Sequence, residues 1–156
     1  MAITHVAHVA HVAHIAICVN NLEKSLDFYR DLLGFYVKMQ QTQEMLNRPG
    51  SQSDHMYQST HNHRTVANIY MNESDTVPFL VLTSHPDDKI EQNPIKLDQV
   101  GITHLSFKVK DLDTTITKLL SSGVKLAGDE SDFRDENGNM RTFFVYDPDG
   151  ILVQFE

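Results

Sequence analysis

His14-Ile-Ala-Ile-Cys-Val-Asn-Asn-Leu22 returns ninety residues later as His104-Leu-Ser-Phe-Lys-Val-Lys-Asp-Leu112, and this internal repeat decides the fold. In both copies apolar residues alternate with other residues, which is typical of a β-strand with one face in a core. Each copy begins with a histidine and ends with a leucine. The repeat therefore predicts two similar modules, each beginning with a strand that carries a histidine.

A helix is predicted after each of these strands. Asn21 and Asp111 stand where N-cap residues belong. Gly34 and Gly123 stand where a helix ends in the left-handed conformation. Apolar residues recur at helical spacing between these positions, and they are Leu22, Leu26, Tyr29 and Leu33 in the first copy and Leu112, Ile116, Leu119 and Leu120 in the second.

Three β-rich segments follow each predicted helix. They are residues 35–40, 65–71 and 79–83 in the first half, and residues 124–126, 142–146 and 151–156 in the second. Asp147-Pro-Asp-Gly150 favours a turn before the last segment, because proline fixes φ and glycine supplies a positive φ. The predicted fold class is α+β, with two βαβββ modules.

We expect a single domain over residues 1–156. Module one takes residues 12–84, a linker takes residues 85–100, and module two takes residues 101–156. Residues 42–64 are predicted to form a polar loop within module one. A loop of that length is rarely a mere connection, and we expect it to help bind a substrate.

Composition narrows the classes of function. The chain has 156 residues, 13 basic and 21 acidic, and a net charge of -8, whereas a nucleic-acid surface would need a basic excess. Cys18 is the single cysteine, which excludes an internal disulfide and favours a reducing compartment. No apolar run approaches the roughly 20 residues of a membrane span, and the first residues lack the pattern of a signal peptide. The sequence predicts a cytoplasmic protein that binds neither membrane nor nucleic acid.

Two groups of histidines carry weaker signals. His5, His8, His11 and His14 recur every third residue, and this spacing gives no compact site on a strand or a helix. We interpret the triplets as a small duplication that lengthens the N-terminus, with a metal-sequestering tail as the alternative. The second group is predicted to be solvated in the loop, with a ligand arriving from the loop as the alternative, and it comprises His55, His61 and His63.

Several motifs together resemble the vicinal oxygen chelate superfamily, which includes glyoxalase I, bleomycin resistance proteins and extradiol dioxygenases. Besides the repeat, they are Leu-Asp-Phe-Tyr-Arg-Asp-Leu-Leu-Gly-Phe at 26–35, Gly101-Ile-Thr-His104, and Asp147-Pro-Asp-Gly150-Ile-Leu-Val-Gln154. The resemblance covers nearly the whole chain except the triplets and residues 42–64. It implies a cupped, mostly antiparallel sheet whose concave face holds a divalent metal, with ligands from the first and last strand of each module. It also implies a homodimer.

Strand parity predicts which side chains share the concave face. Alternate residues of each strand point to the opposite face, toward the core. The nine residues predicted to face the core are Ile15, Ile17, Val19, Leu105, Phe107, Val109, Ile151, Val153 and Phe155. The residues predicted to face the cavity are His14, Ala16, Cys18, His104, Ser106, Lys108, Leu152, Gln154 and Glu156.

The resemblance implies four ligand positions, and two of them are His14 and His104. The third falls on Val81, which cannot ligate. The fourth falls on Gln154, whose neutral carbonyl oxygen is a weaker ligand than a carboxylate, and Glu156 lies two residues further on the same face as an alternative. Histidine nitrogen and side-chain oxygen suit iron, manganese, nickel or zinc.

The first functional hypothesis is a metal-dependent enzyme that acts on a small organic substrate, with a dioxygenase-like site of two histidines and one oxygen ligand. Ala16, Phe79, Val81 and Leu152 would form an apolar wall, and Cys18, Ser106 and Lys108 would also line the pocket. A lyase or isomerase of the glyoxalase and epimerase type is an alternative that Val81 weakens. Two non-enzymatic hypotheses are a metal-free binding protein of the resistance type and an interaction module that keeps only the fold.

Some of these residues also have ordinary structural interpretations. Cys18 is expected to be a small buried hydrophobe rather than a nucleophile. Candidates for substrate contact that are more often plain surface or rim are Lys108, Tyr70 and Arg141.

Overall fold

The computed structural model describes residues 9–46, 55–88 and 90–156. His5 and His8 of the triplets and residues 47–54 of the predicted loop lie outside this part of the chain. The described residues form two compact units. The first contains four strands, and the second comprises Glu23–Leu32 and Ile90–Glu156. The units therefore differ from the sequence repeat, because the segment after the first strand groups with the second unit.

The first unit is a four-stranded sheet in the order β1-β4-β3-β2. Its pairs β2–β3 and β3–β4 are antiparallel, and β1 pairs with β4 in parallel. A parallel neighbour requires a crossover connection, which agrees with a helix after the first strand. The strands are β1 (His14–Cys18), β2 (Tyr36–Glu44), β3 (His63–Tyr70) and β4 (Phe79–Ser84).

The second unit holds a three-stranded sheet in the order β5-β7-β6, again with a parallel pair next to an antiparallel pair. Its strands are β5 (His104–Phe107), β6 (Phe143–Tyr146) and β7 (Leu152–Phe155), and the helix α2 (Leu112–Ser121) follows β5. The strand predicted at 124–126 is wrong, because the segment forms an isolated bridge, Leu126–Val145, and no ladder. The segment is too short to continue a ladder, since residues 130–133 already turn into a 3-10 helix.

The helix after β1 starts where the sequence predicts and then widens. α1 (Leu22–Leu26) continues as a π-helical segment, Asp27–Leu32. Phe28 and Tyr29 in this segment are both buried. Gly34 follows with a φ of 79°, as the left-handed end of the helix requires. Among the described helices none is both long and apolar enough to cross a membrane.

The predicted loop at 42–64 is shorter in the structure. The antiparallel ladder between β2 and β3 runs on until Glu44 pairs with His63, so Thr42 and Arg64 lie in strands. Backbone pairing satisfies N–H and C=O groups that a loop would leave to water, and it extends into polar sequence for that reason. The connection between the strands is therefore 45–62.

The alternation predicted for the core is confirmed. Ile17 and Val19 are buried on β1 and beyond its end, whereas the residues on either side of Ile17 are exposed. In the second unit, Val153 and Phe155 are buried as predicted, but Leu152 on the opposite face is buried too. Burying such a side chain contributes about 1.5–3 kcal/mol, so the apolar face fixes the register of each strand.

The Asp147-Pro-Asp-Gly150 turn is bonded directly to the π-helical segment. Tyr29 Oη donates a hydrogen bond of 3.0 Å to Asp147 Oδ2, and both side chains are buried. Asp147 Oδ1 accepts from the backbone N–H groups of Asp149 and Ile151. Two of the motifs that carry the family resemblance thus hold each other in place.

Burial changes the acidity of both partners in this bond. Burial raises the pKa of Asp147 above its usual value, and the donors Ile151 N–H, Tyr29 Oη and Asp149 N–H only partly offset that rise. Burial and the neighbouring Asp147 likewise raise the pKa of Tyr29 well above 10. The tyrosine therefore stays protonated and remains a donor.

Candidate functional site

His104 and Gln154 lie on one face of the second unit's sheet. β5 and β7 are parallel, with His104 paired to Leu152 and Ser106 paired to Gln154. Residues two apart on a strand share a face. The structure therefore brings together the four predicted site residues of this sheet.

The ring of His104 is oriented by its neighbour in the chain. Its Nδ1 lies 2.8 Å from Thr103 Oγ1. When Nδ1 carries the proton and donates it to that oxygen, Nε2 keeps a free lone pair. Histidines that ligate metals usually donate their other ring N–H in this way. The contact leaves Nε2 as the nitrogen available to a ligand.

The amide of Gln154 is oriented as well. Its Nε2 donates to Thr142 Oγ1 over 2.9 Å, and the Thr142 hydroxyl donates to the carbonyl oxygen of Phe155, also over 2.9 Å. Because the amide nitrogen is engaged, Gln154 Oε1 is the atom left to accept. His104 Nε2 and Gln154 Oε1 are therefore both available as ligand atoms on the same face of the sheet.

Aromatic side chains flank His104. The ring centroid of Phe144 lies 5.4 Å from that of His104 in an edge-to-face arrangement, and Phe133 lies 6.4 Å from Phe144. Phe144 pairs with Gln154 across β6 and β7. Sequence reasoning missed Thr103, although it adjoins His104 in the chain. It also missed Thr142, Phe144 and Phe133, because their positions near Gln154 and His104 depend on the tertiary structure.

The remaining predicted residues of the second unit differ in exposure. Leu152 is buried, Gln154 is half-buried, and Ser106 is exposed. Lys108 and Glu156 are exposed just beyond the ends of β5 and β7, so neither lies within a strand.

The face of the first unit that carries His14 is aromatic at one end. His14 pairs with Phe79 in the parallel register, and their ring centroids are 5.4 Å apart. Tyr70 stacks on Phe79 at 4.8 Å, and Lys38 Nζ lies 4.3 Å from the centre of the Tyr70 ring. Tyr70, predicted as a rim residue, instead belongs to a row of rings next to His14.

Val81 occupies the middle of the same face. It is half-buried, with Ala16 opposite it on β1 and Asn68 opposite it on β3. Asn68 is a polar neighbour that the sequence analysis did not single out, because nothing local shows that it pairs with Val81. Cys18 is exposed at the end of β1, so the expectation that it is buried is wrong. Its parity places it on the solvated face.

The predicted solvated histidines include one that is buried. His55 is exposed, but His61 is only 5% exposed, and its Nδ1 lies 2.6 Å from Asp88 Oδ2. The rings of His61 and His85 stack at 3.9 Å. The prediction for His61 is wrong because β3 and β4 bring 61 and 85 to the same end of the sheet.

The pKa values of two histidines at this end of the sheet are shifted in opposite directions. Burial, and next the neighbouring His61, lower the pKa of His85. The hydrogen bond to Asp87 raises the pKa of His63 above 6.5. His63 Nδ1 lies 2.5 Å from Asp87 Oδ2, on the surface. Arg141 is also a surface residue, paired with Asp135 at 3.3 Å.

A metal site here would need the glutamine amide. Within 9–46, 55–88 and 90–156, no three His, Cys, Asp or Glu side chains are arranged to hold a metal ion. The donors that do fit are of the right chemistry, a histidine nitrogen and an amide oxygen with their other polar atoms engaged.

The comparisons with known proteins agree with this architecture. A glyoxalase family protein from Bacillus cereus has a similar structure, with a TM-score of 0.73, 15% identity, and 97% of this chain and 96% of that chain covered. A trypanothione-dependent glyoxalase I from Leishmania major gives a TM-score of 0.60 at 21% identity, with 94% and 86% covered. None of the curated proteins compared with the chain matches it. The sequence profile of the Glyoxalase/Bleomycin resistance protein/Dioxygenase superfamily matches residues 11–155, and the chain belongs to that superfamily.

Proposed function

We propose that the protein is a metal-dependent enzyme that acts on a small organic substrate at the face carrying His104. The observation that supports this most is that two potential ligand atoms are left available on that face. His104 leaves Nε2 available and Gln154 leaves Oε1 available, because Thr103 and Thr142 engage the other polar atom of each side chain. A histidine packed only for structure would not need a neighbouring amide turned in this way.

The proposed ligands in the second unit are His104 and Gln154, and the family resemblance implies His14 as a further ligand. Glu156 is the alternative oxygen donor. When bound, a divalent ion would supply Lewis-acid chemistry toward two adjacent substrate oxygens or, as iron, redox chemistry with dioxygen. Iron, manganese, nickel and zinc all suit these donors.

The chain's own residues would then shape the site. Phe144 would exclude water beside His104, since it lies edge to face against that ring, and Phe133 lies next to Phe144. Leu152 would provide an apolar floor next to it. In the first unit, Phe79 and Val81 would provide an apolar wall for an aromatic or aliphatic substrate. Water exclusion strengthens the electrostatic interactions within such a site.

Val81 distinguishes between the enzyme classes. Its side chain cannot act as a base or a ligand, so a lyase or isomerase that needs a carboxylate at this position is disfavoured. The same residue supports a second candidate function, a metal-free protein that binds a small molecule. Gln154 favours that candidate too, because its neutral amide oxygen is a weaker ligand than a carboxylate.

Metal content tests the proposal. The purified protein is incubated with iron, manganese, nickel or zinc, passed through a desalting column and analysed for elements. We expect about one ion per chain in the wild type. That ion should be lost in His104→Ala, because the variant lacks one of the proposed ligands. Ser106→Ala is the matched control, because Ser106 lies on the same face two residues further and donates nothing in the proposal.

Thr103 tests the orientation of the ring. Thr103→Val removes the partner of His104 Nδ1, and losses of such partners weaken metal affinity about 10–100-fold. Thr103→Ser keeps a hydroxyl and should restore the affinity. Wild-type protein that retains no ion from any of the four solutions would remove the enzyme proposal in favour of the metal-free binding protein.

We also propose that the protein is a homodimer, as the family resemblance implies. Among the described strands, β1 and β2 are the edges of the first sheet, and an exposed edge of a sheet can pair with a second chain. Sedimentation equilibrium checks this directly, and a monomer at every concentration would contradict it. The cytoplasmic location stays a prediction from the sequence.

A further inference from the structure

A cleft in the second unit lies apart from the His104 face. Its volume is about 750 Å³, within the range of roughly 300–1,000 Å³ that is usual for small-molecule sites. Its walls come from the π-helical segment, from 122–125 after α2, and from the turn at 146–150. None of the four site residues on β5 and β7 lines it. The cleft is therefore a separate place where a ligand could bind.

Much of the cleft surface is apolar. Phe28, Leu32, Val124 and Pro148 line it. Leu32 and Tyr146 are each 42% exposed, although both are large and mostly apolar. Grouped apolar side chains that remain uncovered in this way mark binding surfaces more often than ordinary surface.

Two donors stand side by side at the cleft. The N–H of Tyr146 donates to the carbonyl oxygen of Lys125 over 3.0 Å, and the adjoining bridge joins Leu126 and Val145. Residues opposite each other in an antiparallel pair point to the same side, so the side chains of Lys125 and Tyr146 are neighbours. Within the described chain, neither the ammonium group nor the phenol has a hydrogen bond or an ion pair.

The carboxylates of the cleft already have partners. Arg30 binds Asp31 through two contacts of 2.7 Å and lies 4.0 Å from Asp27. Asp147 accepts from Tyr29 Oη and from two backbone N–H groups. Lys24 also lines the cleft and has an interaction of its own, so Lys125 is the lining cation for which the described chain shows no partner.

We propose that this cleft binds a small organic acid. Its carboxylate would accept from Lys125 Nζ and Tyr146 Oη, and its aliphatic or aromatic part would lie on Leu32 and Val124. Charge-assisted hydrogen bonds fix the orientation of such a ligand, and the apolar surface adds affinity. The site is independent of the proposed metal chemistry, because it shares none of its residues.

An amide NMR titration with phenylbutyrate tests the proposal, with the neutral phenylbutanamide as the matched ligand. We expect phenylbutyrate to shift the amide signals of Gly123, Val124 and Gly150, and to leave those of Ser106 and Gln154 in place. The affinity for the neutral amide should be lower by a factor of roughly ten or more, because the amide carries no negative charge to pair with the ammonium group of Lys125.

Variants locate the carboxylate. Lys125→Gln and Tyr146→Phe should each weaken phenylbutyrate binding, the first by roughly tenfold or more. Lys110→Gln is the control, because Lys110 is an exposed lysine that does not line the cleft. Both cleft variants remove polar groups that lack a bond within the described chain, and the dispersion of the spectrum verifies that they fold.

Four results would overturn the proposal. One is the absence of shifts at the cleft at any phenylbutyrate concentration. Another is equal affinity for the acid and its amide. The third is a loss of affinity in Lys110→Gln as large as that in Lys125→Gln. Shifts confined to Ser106 and Gln154 would place the acid on the metal-site face and would also overturn it.

Discussion

Removal of the Tyr29 hydroxyl should destabilise the protein strongly for the loss of a single oxygen atom, because the hydroxyl donates to a buried carboxylate. Tyr29 is fully buried and Asp147 is 4% exposed, and the 3.0 Å bond is the contact that satisfies Asp147 Oδ2. In Tyr29→Phe this oxygen stays buried without its donor. A hydrogen bond to a charged group contributes about 1.5–3 kcal/mol, so we expect a loss of about 2–3 kcal/mol.

Thermal and urea unfolding at neutral pH measure this loss. For a chain of this size, each kcal/mol lowers the Tm by about 2–4 °C, so the expected fall is about 4–12 °C. Tyr36→Phe is the matched control, because Tyr36 is 46% exposed on the edge strand β2. Exposed substitutions usually change stability by less than about 0.5 kcal/mol.

The pH dependence provides a second check. The folded-state pKa of Asp147 is raised, so the stability linked to its proton is fully present below the unfolded value of 3.8 and is lost as the pH rises through the folded pKa. Tyr29 is one of the donors that lower this pKa, and without it the pKa rises further. The difference between Tyr29→Phe and the wild type should therefore shrink as the pH falls and Asp147 becomes protonated.

A double-mutant cycle decides whether the bond itself is responsible. In an Asp147→Asn background the charge is gone, and Tyr29→Phe should cost less than it does in the wild type. If Tyr29→Phe costs no more than Tyr36→Phe, or if the cost is the same in both backgrounds, the reasoning from the buried carboxylate is refuted.

Further outcomes follow from other parts of the structure. Asp111→Ala removes the cap that accepts from Thr114 N–H at 2.9 Å, and chemical denaturation should show a loss of about 1 kcal/mol, with Asp111→Ser largely retaining stability. Leu82→Ala, at a fully buried position of β4, should cost about 2–5 kcal/mol in the same assay, and a loss under about 1 kcal/mol would show that the site collapses. Since the pKa of His85 is lowered by burial and by His61, the unfolded chain takes up that proton first, so stability should fall as the pH drops below 6.5. Unfolding curves between about pH 7 and pH 5 should show a smaller decline in His85→Gln, and an unchanged decline would contradict the assignment.

The sequence predicted much of the candidate site because strand parity is a local property. His104, Ser106, Leu152 and Gln154 share a face since residues two apart always do. The same rule placed His14 and Ala16 on one face of the first sheet, where Val81 pairs with Ala16. It could not identify Thr142 or Asn68, since their contacts with site residues depend on which strands pair and in which register.

The buried His61 is a residue whose environment local sequence predicted wrongly. A polar loop sequence indicated solvent, and 61 does precede a strand in a polar connection. Burial arises because β3 and β4 are antiparallel neighbours, which brings 61 beside 85 and 88. No pattern within the loop encodes a partner more than twenty residues away.

The sequence by itself determined the repeat, the faces of the strands, the ends of the helices and the Asp147–Gly150 turn. These depend on side-chain periods of two and 3.6 residues and on the φ values that particular residues allow. Only the tertiary structure decided the bond between Tyr29 and Asp147, the surroundings of His104 and Gln154, and the cleft beside Lys125. Each of these requires residues far apart in the chain to meet, and that depends on strand order and register, which local periodicity leaves open.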